Sequence, residues 1–352
     1  MTSPTIDHAQ ELRSKNFGSQ LGLHSVIYPI DYCTSACTYC GLSTLLADSG
    51  AHGVRGAMPP ETFDLVVGRL RDTGYKVHEL VFGTVSTDQE RLSHRVAKWC
   101  ERAKRVDPDS YVIVNCDTLK PAGYRRLRDA GANAIWTFME VMTPELYRDK
   151  HRGGLKSDQA ERLEAPGRIR DAGMAVGNAL LWGLVPDWEA ELERFVAWSA
   201  AVGGFDFVAT PVLQEVTLPV GVPAPEGFDA VPPLGVSQDL YLEICARLRI
   251  AFPDSHLVAN TRLEPGFVYG KASTITDMSN GYVWTGSRSH PKAELASAGH
   301  VRSASTQMNF FNPGETREQV QSMCPPHITA TFDLPRSGGA DLTPQRVELH
   351  RD

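Results

Sequence analysis

The 352-residue chain contains no apolar run approaching the roughly 18 residues that a membrane-spanning helix needs. Its first sixteen residues, MTSPTIDHAQELRSKN, are polar and lack the apolar core of a signal peptide, so a cytoplasmic location is expected. Long basic runs are also missing, and the net charge is −7. That excludes non-specific binding to nucleic acid or to anionic membranes, while leaving a local basic pocket open. The seven cysteines do not make a disulfide framework. Their number is odd, and Cys100, Cys116, Cys245 and Cys324 are scattered singly, as small buried hydrophobes are. None of the eleven histidines stands in an H-E-x-x-H spacing. His151 is expected to have a structural, backbone-bonded role. Gly50-Ala-His-Gly-Val-Arg-Gly56 forms neither a P-loop nor a dinucleotide fingerprint. No internal repeat stands out.

What remains is concentrated in one place. Cys33, Cys37 and Cys40 follow a C-x3-C-x2-C spacing, with Tyr39 just before the third cysteine. Soft thiolates select iron–sulfur clusters, zinc or Cu(I). Zinc sites and ordinary ferredoxin clusters take four protein ligands. Three local cysteines with no obvious fourth would instead hold three irons of a [4Fe–4S] cluster and leave one iron open to a small molecule. A structural zinc loop and a chance group of buried thiols are the alternatives.

Around this loop, short apolar runs alternate with amphipathic helices. Strands are expected at 24–29, 78–82, 111–115, 134–138, 175–182, 205–213, 256–260 and 273–277. Helices are expected at 60–73, 88–104, 122–130, 143–150, 157–172, 188–202 and 238–251. Gly74, Gly131 and Gly173 follow helices where a C-terminal cap belongs. Strands separated by helices imply βαβ units and a parallel sheet. About eight of them predict an α/β fold, a (β/α) TIM-type barrel, complete or nearly complete, with a small C-terminal cap over the barrel end. The expected division is an N-terminal segment (1–23), the barrel (24–280), the cap (281–330, with elements near 303–311 and 316–323) and a disordered tail (331–352). In such barrels the chemistry sits at the C-terminal ends of the strands, which is where the cysteine loop falls.

The cysteine loop, aromatic included, resembles that of the radical S-adenosylmethionine (SAM) enzymes. Further runs resemble one branch of them, which holds 2-iminoacetate synthase, the tyrosine lyase of hydrogenase maturation and the tryptophan lyases. These runs are Phe138-Met-Glu-Val, Tyr147 to Asp158, Arg162-Leu-Glu-Ala-Pro, Leu180 to Trp188, Asn260-Thr-Arg262 and Ile275 to Ser279. The resemblance implies a [4Fe–4S] cluster on Cys33, Cys37 and Cys40, with SAM on the open iron. Tyr39, Gly83, Thr84, Glu140 and Arg162 would contact that cofactor, the last two as a charged pair on neighbouring strand ends. Gln214, Arg262 and Ser279, with Thr276, would face the substrate, Arg262 holding a carboxylate. The plain alternatives are a surface charge for Glu140, ion pairs for Arg162 and Arg262, and turn residues for Thr276 and Ser279.

Two departures stand out. The branch carries Gly-Glu after its second strand, whereas this chain has Gly83-Thr84 and no acid before Asp88. After the sixth strand it has Thr210-Pro-Val-Leu-Gln214-Glu215 in place of basic residues, a little like the lysine mutase of pyrrolysine biosynthesis. The implied activity is therefore a lyase of biosynthesis that abstracts hydrogen from an amino acid, aromatic by the branch, and cleaves or rearranges a C–C bond. An aliphatic carbon-skeleton mutase resembling methylornithine synthase is a second reading. A non-catalytic iron–sulfur or zinc scaffold or sensor is a third, from another class. The enzyme would take electrons from flavodoxin or ferredoxin and bind neither nucleic acid nor membrane. Cys324 alone cannot supply a second cluster.

Overall fold

The computed structural model describes residues 3–49, 56–216, 218, 221–259, 263–285 and 317–335. Eight parallel strands close on themselves: β1 (Gln20–Ile30), β2 (Val77–Phe82), β3 (Tyr111–Asn115), β4 (Ala134–Trp136), β5 (Ala175–Ala179), β6 (Phe207–Ala209), β7 (His256–Ala259) and β8 (Met278–Thr285). Each pairs with the next, and β1 pairs with both β2 and β8, which closes the TIM-type barrel. The strands are runs of β-branched and aromatic residues, such as Tyr-Val-Ile-Val in β3, buried on both faces as parallel strands are. Val77, Tyr111, Ile113, Trp136, Phe207, Val258 and Met278 fill the interior.

The helices that return the chain between strands are α2 (Pro60–Thr73), α3 (Gln89–Val106), α4 (Pro121–Asp129), α5 (Pro144–Lys150), α6 (Gln159–Asp171), α7 (Trp188–Ala201), α8 (Gln238–Ala251) and α9 (Pro265–Gly270). Five of them, α3, α6, α7, α8 and α9, start with a side-chain cap. Asp88 accepts the Arg91 amide at 2.8 Å ahead of α3, and Ser237 accepts that of Leu240 at 3.2 Å ahead of α8. Among the described residues, no helix is long and apolar enough to cross a membrane.

The base of the barrel departs from expectation. Residues 4–17 form α1 (Pro4–Phe17), whose buried face is only Ala9, Arg13 and Phe17, too polar a stripe to announce itself by periodicity. Arg13 donates to the Thr276 carbonyl at 3.3 Å and to that of Gln20 at 2.6 Å. The strand expected at 273–277 is instead a short helical turn, and β8 begins at Met278. The Ser273 hydroxyl bonds the Tyr269 carbonyl at 2.5 Å and that of Thr276 bonds Ala272 at 3.1 Å, so the local bonds compete with the ladder and win.

Within the expected cap, residues 303–311 lie outside the described residues. The helix near 316–323 is α10 (Arg317–Met323). It is followed by β9 (Thr329–Thr331), which pairs with Gln20–Gly22 at the start of β1, so this part covers the base and not the mouth. Of the expected disordered tail, Thr331 belongs to β9 and Leu334 packs against the interior cluster; residues 336–352 lie outside the described residues.

Candidate active site at the barrel mouth

The cysteine loop leaves the C-terminal end of β1 and is strapped down from two sides. Residues 150–153 run beside it: Ala36 donates to Gly153 (3.0 Å), Arg152 to Ala36 (2.9 Å) and Thr38 to Lys150 (2.9 Å). Asp229 accepts from the Thr38 hydroxyl at 2.6 Å and from Lys150 at 2.8 Å. On the β2 side, the Thr34 amide and hydroxyl both donate to the Thr84 carbonyl, at 2.9 and 2.7 Å. Gly83 sits tight against the loop, where a Cβ would stand 2.8 Å from that of Cys33 and 2.9 Å from the Tyr32 carbonyl. Only glycine fits there.

Backbone amides point at the sulfurs. Cys33 Sγ accepts from Thr84 (3.2 Å) and Ser35 (3.4 Å), and Cys40 Sγ from Leu42 (3.4 Å). Such bonds favour thiolate and tune a cluster bound to it. Burial pushes the Cys37 thiol well up, so a metal must displace its proton on binding. No three His, Cys, Asp or Glu side chains among the described residues converge on a single ion position.

Three of the expected polar residues stand in two separate networks. Thr84 Oγ1 accepts from Ser35 at 2.8 Å and donates to Asp117 Oδ2 at 2.6 Å. Arg162 donates to Asp117 Oδ1 at 2.6 Å and to the Phe138 carbonyl at 2.9 Å, with its Nε buried and without a partner. Arg162 lies on α6 and not at a strand end. Burial alone would lower its pKa, but Asp117 together with Tyr147, Glu140 and Cys37 outweighs that and raises it. Glu140, which follows β4, accepts from Lys156 at 2.7 Å and from His151 Nε2 at 3.1 Å. Burial would raise this carboxyl; Lys156 and His151 outweigh it and hold it at about 2. Glu140 has φ 65°, a left-handed backbone costing on the order of 1 kcal/mol in a non-glycine residue, as found where a side chain is aimed for function. Glu140 and Arg162 therefore each have their own partner and do not pair with each other. His151 bonds the Tyr147 carbonyl at 3.0 Å, the backbone role expected of it, and also meets the Tyr39 hydroxyl at 2.9 Å.

All of this faces one cavity of about 340 Å³ at the mouth. Its walls include Cys33, Cys37, Tyr39, Cys40, Gly83, Thr84, Glu140, Arg162, Gln214 and Ser279, every expected site residue except Arg262 and Thr276. Arg262 lies outside the described residues. Thr276 is elsewhere, in the turn at the base. Sequence reasoning missed Asp117, Lys156 and Glu79, which also line the cavity. Asp117 had a signal, being an acid two residues beyond the end of a strand, on the catalytic face of a barrel. Lys156 lay unremarked inside the Tyr147–Asp158 run.

Residues 27–198 match the family model described as the Radical SAM superfamily. The 2-iminoacetate synthases of Salmonella typhimurium and Escherichia coli are each 24% identical to this chain, over 199 and 189 residues. Those alignments cover 53% and 52% of this chain and 48% and 46% of the relatives, so the chain spans about half the length of the curated relatives it matches. Among solved structures, the FeFe-hydrogenase maturase HydG from Carboxydothermus hydrogenoformans superposes with a TM-score of 0.76 at 19% identity, over 98% of this chain and 74% of that one. Methylornithine synthase (PylB) superposes with a TM-score of 0.70 at 17% identity, over 94% and 91%. Both likenesses are of fold.

Proposed function

On the premise that residues 27–198 of this chain are a radical SAM domain, we propose that it is an enzyme that cleaves SAM reductively and abstracts hydrogen from an amino acid. The observation that supports this best is the single cavity lined by the three cysteines and by the Thr84–Asp117–Arg162 and Glu140–Lys156 networks. When bound, a reduced [4Fe–4S] cluster and SAM supply a 5′-deoxyadenosyl radical that takes a hydrogen atom from the substrate. Cys33, Cys37 and Cys40 would hold the cluster.

The chain's own residues do the positioning. Gly83 leaves the loop room to seat. Asp117, from the next strand, brings a carboxylate to Thr84 and so stands in for the acid absent at that position. Together they offer acceptors to the amino group of SAM. Arg162, its Nε still free to donate, and Lys156 offer cations to carboxylate and ribose oxygens. Tyr39 completes the loop wall. Phe138, Leu181, Val212 and Val268 make the rest of the lining largely apolar, which excludes water from a reactive radical.

Gln214, Ser279 and, by resemblance, Arg262 would meet the substrate, an amino acid whose side chain is cleaved at Cα–Cβ. The branch resemblance favours an aromatic one. The presence of Pro211, Gln214 and Glu215 in the cavity wall favours a second reading, a carbon-skeleton mutase acting on an aliphatic amino acid. Flavodoxin or ferredoxin would supply the electron.

Anaerobic reconstitution tests this. About four irons and four sulfides per chain are expected, with SAM-dependent 5′-deoxyadenosine. A panel of deuterated amino acids then identifies the substrate by deuterium transferred into that product. One tightly held zinc and no SAM turnover would sink the proposal.

A further inference from the structure

The inner wall of the cavity carries a charge that the cofactor networks do not use. Glu79 lies four residues below Gly83 on β2, deeper in the barrel. Its side chain is only 1% exposed, yet it borders the cavity. Oε2 stands 3.2 Å from His24 Nε2, and Oε1 accepts from Asn115 Nδ2 at 3.0 Å. Since a carboxylate only accepts, the Asn115 amide nitrogen must face Glu79. Asn115, itself half-buried in the same wall, is thereby left with its carbonyl oxygen as the group to offer a ligand. His24 Nδ1 is buried and has no partner, so this polar cluster is not complete in itself. A carboxylate this deep is expensive unless something bound nearby compensates its charge.

Among the described residues that line the cavity, no lysine or arginine is spare to do so, and His24 balances the charge only when its ring is protonated. The lysine and arginine that line the cavity are Lys156 and Arg162, and both are engaged at the outer end by Glu140 and Asp117. The inner end is therefore rich in acceptors and negative in potential.

We propose that this inner end receives the amino group of the substrate as an ammonium, with Asn115 Oδ1 accepting an N–H and Glu79 supplying the counter-charge from behind it. The inference rests on the radical SAM reading and deepens it, because it fixes which end of the amino acid points inward. A substrate carboxylate is excluded from this end by repulsion, so it must lie toward the mouth.

The test is calorimetric titration of the unreduced enzyme, with and without its cluster and SAM. The probes are two amines lacking a carboxylate, tyramine and 1,5-diaminopentane, and two acids lacking an amine, 3-(4-hydroxyphenyl)propanoate and hexanoate. At least one amine is expected to bind. Glu79→Gln, which keeps the shape and removes the charge, should weaken it about tenfold or more while leaving the affinity for the acids and for SAM unchanged. Asn115→Ala, altering a less buried residue, should weaken the same amine and guards against a folding defect in the first variant. Failure of both amines to bind, or a change under about threefold in both variants, overturns the inference. Failure of the protein to take up a cluster or SAM would overturn the earlier reading instead, and is read out separately on the same samples.

Discussion

The Thr84 hydroxyl donates to Asp117 Oδ2 at 2.6 Å, and through it a strand end without an acid of its own shares the carboxylate of its neighbour. Asp117 is in turn held by Arg162 on its other oxygen, so the hydroxyl, the acid and the guanidinium form one buried chain. Thr84→Val keeps the volume and removes the hydroxyl. It strands the Ser35 hydroxyl and one Asp117 oxygen, at a cost of about 1–3 kcal/mol. We expect SAM affinity to fall about tenfold or more, by equilibrium dialysis, with the cluster still loaded. Thr84→Glu, which restores the branch's Gly-Glu, should not rescue binding, because it sets a second carboxylate against Asp117. Tighter SAM binding in Thr84→Glu would show that Asp117 does not fill that role.

Much of this architecture was legible in order along the chain, and the reason is local. Buried parallel strands read as β-branched runs, and the α2 and α8 boundaries coincide with those expected because Gly74 and Ser237 end and begin them. The cysteine motif was legible because its members lie within one loop. The polar site was not, since its contacts join residues 33 and 45 positions apart, Thr84 with Asp117 and Asp117 with Arg162. The resemblance implied that Glu140 and Arg162 both serve the cofactor, but it did not name the partner that each has in the fold. Which acid meets which cation depends on strand order and helix rotation, and those place Lys156 and His151 beside Glu140. The same limit hid β8, whose start is displaced by hydroxyl-to-carbonyl bonds that composition does not display.

Gly83 offers a test that separates the seat of the cysteine loop from its ligands. In Gly83→Ala the new methyl would stand 2.8 Å from Cys33 Cβ and 2.9 Å from the Tyr32 carbonyl, and the backbone cannot yield as a flexible side chain would. Overpacking of this kind costs about 1–3 kcal/mol, which a barrel of this size tolerates. The expected result is a folded protein, by circular dichroism, that loses most of its iron after reconstitution. Full iron content would mean that the loop is not seated against β2 as described.

The cysteines should divide by reactivity. Cys33, Cys40 and Cys324 are partly exposed, whereas Cys37, Cys100, Cys116 and Cys245 are buried. Burial pushes the Cys100 and Cys245 thiols up to about 12 and raises that of Cys116 as well. Iodoacetamide at pH 8 should therefore alkylate Cys33 and Cys40 in the cluster-free protein and spare Cys100, Cys116 and Cys245 until it unfolds. Reconstitution should protect Cys33 and Cys40. Alanine at Cys33, Cys37 or Cys40 should abolish iron binding, while Cys100→Ala should keep it at a packing cost on the order of 1 kcal/mol. Mass spectrometry of tryptic peptides reads the first result and iron analysis the second.

At the base, Asp277 ties β7 and β8 to α8. It accepts from His256 Nδ1 at 2.6 Å, from the Leu257 amide at 2.8 Å and from the fully buried Arg249. Burial would raise its pKa, but His256 and Arg249 outweigh that and hold it below its ordinary value of 3.8. A depressed carboxyl contributes stability that is fully present above its unfolded pKa and is lost as pH falls through the folded one. This contribution is thus intact at neutral pH and disappears only below about pH 4. Asp277→Ala leaves Arg249 charged and unpaired in the interior, at a cost of about 3–5 kcal/mol. Thermal melts between pH 3 and pH 8 should show the variant melting well below the wild type at pH 7, with the gap narrowing as the pH approaches 3. Because the Asp277 network lies at the base, far from the cysteines, SAM affinity measured well below the melting temperature should not change. A gap that widens on acidification would mean that Asp277 is not ionised in the fold.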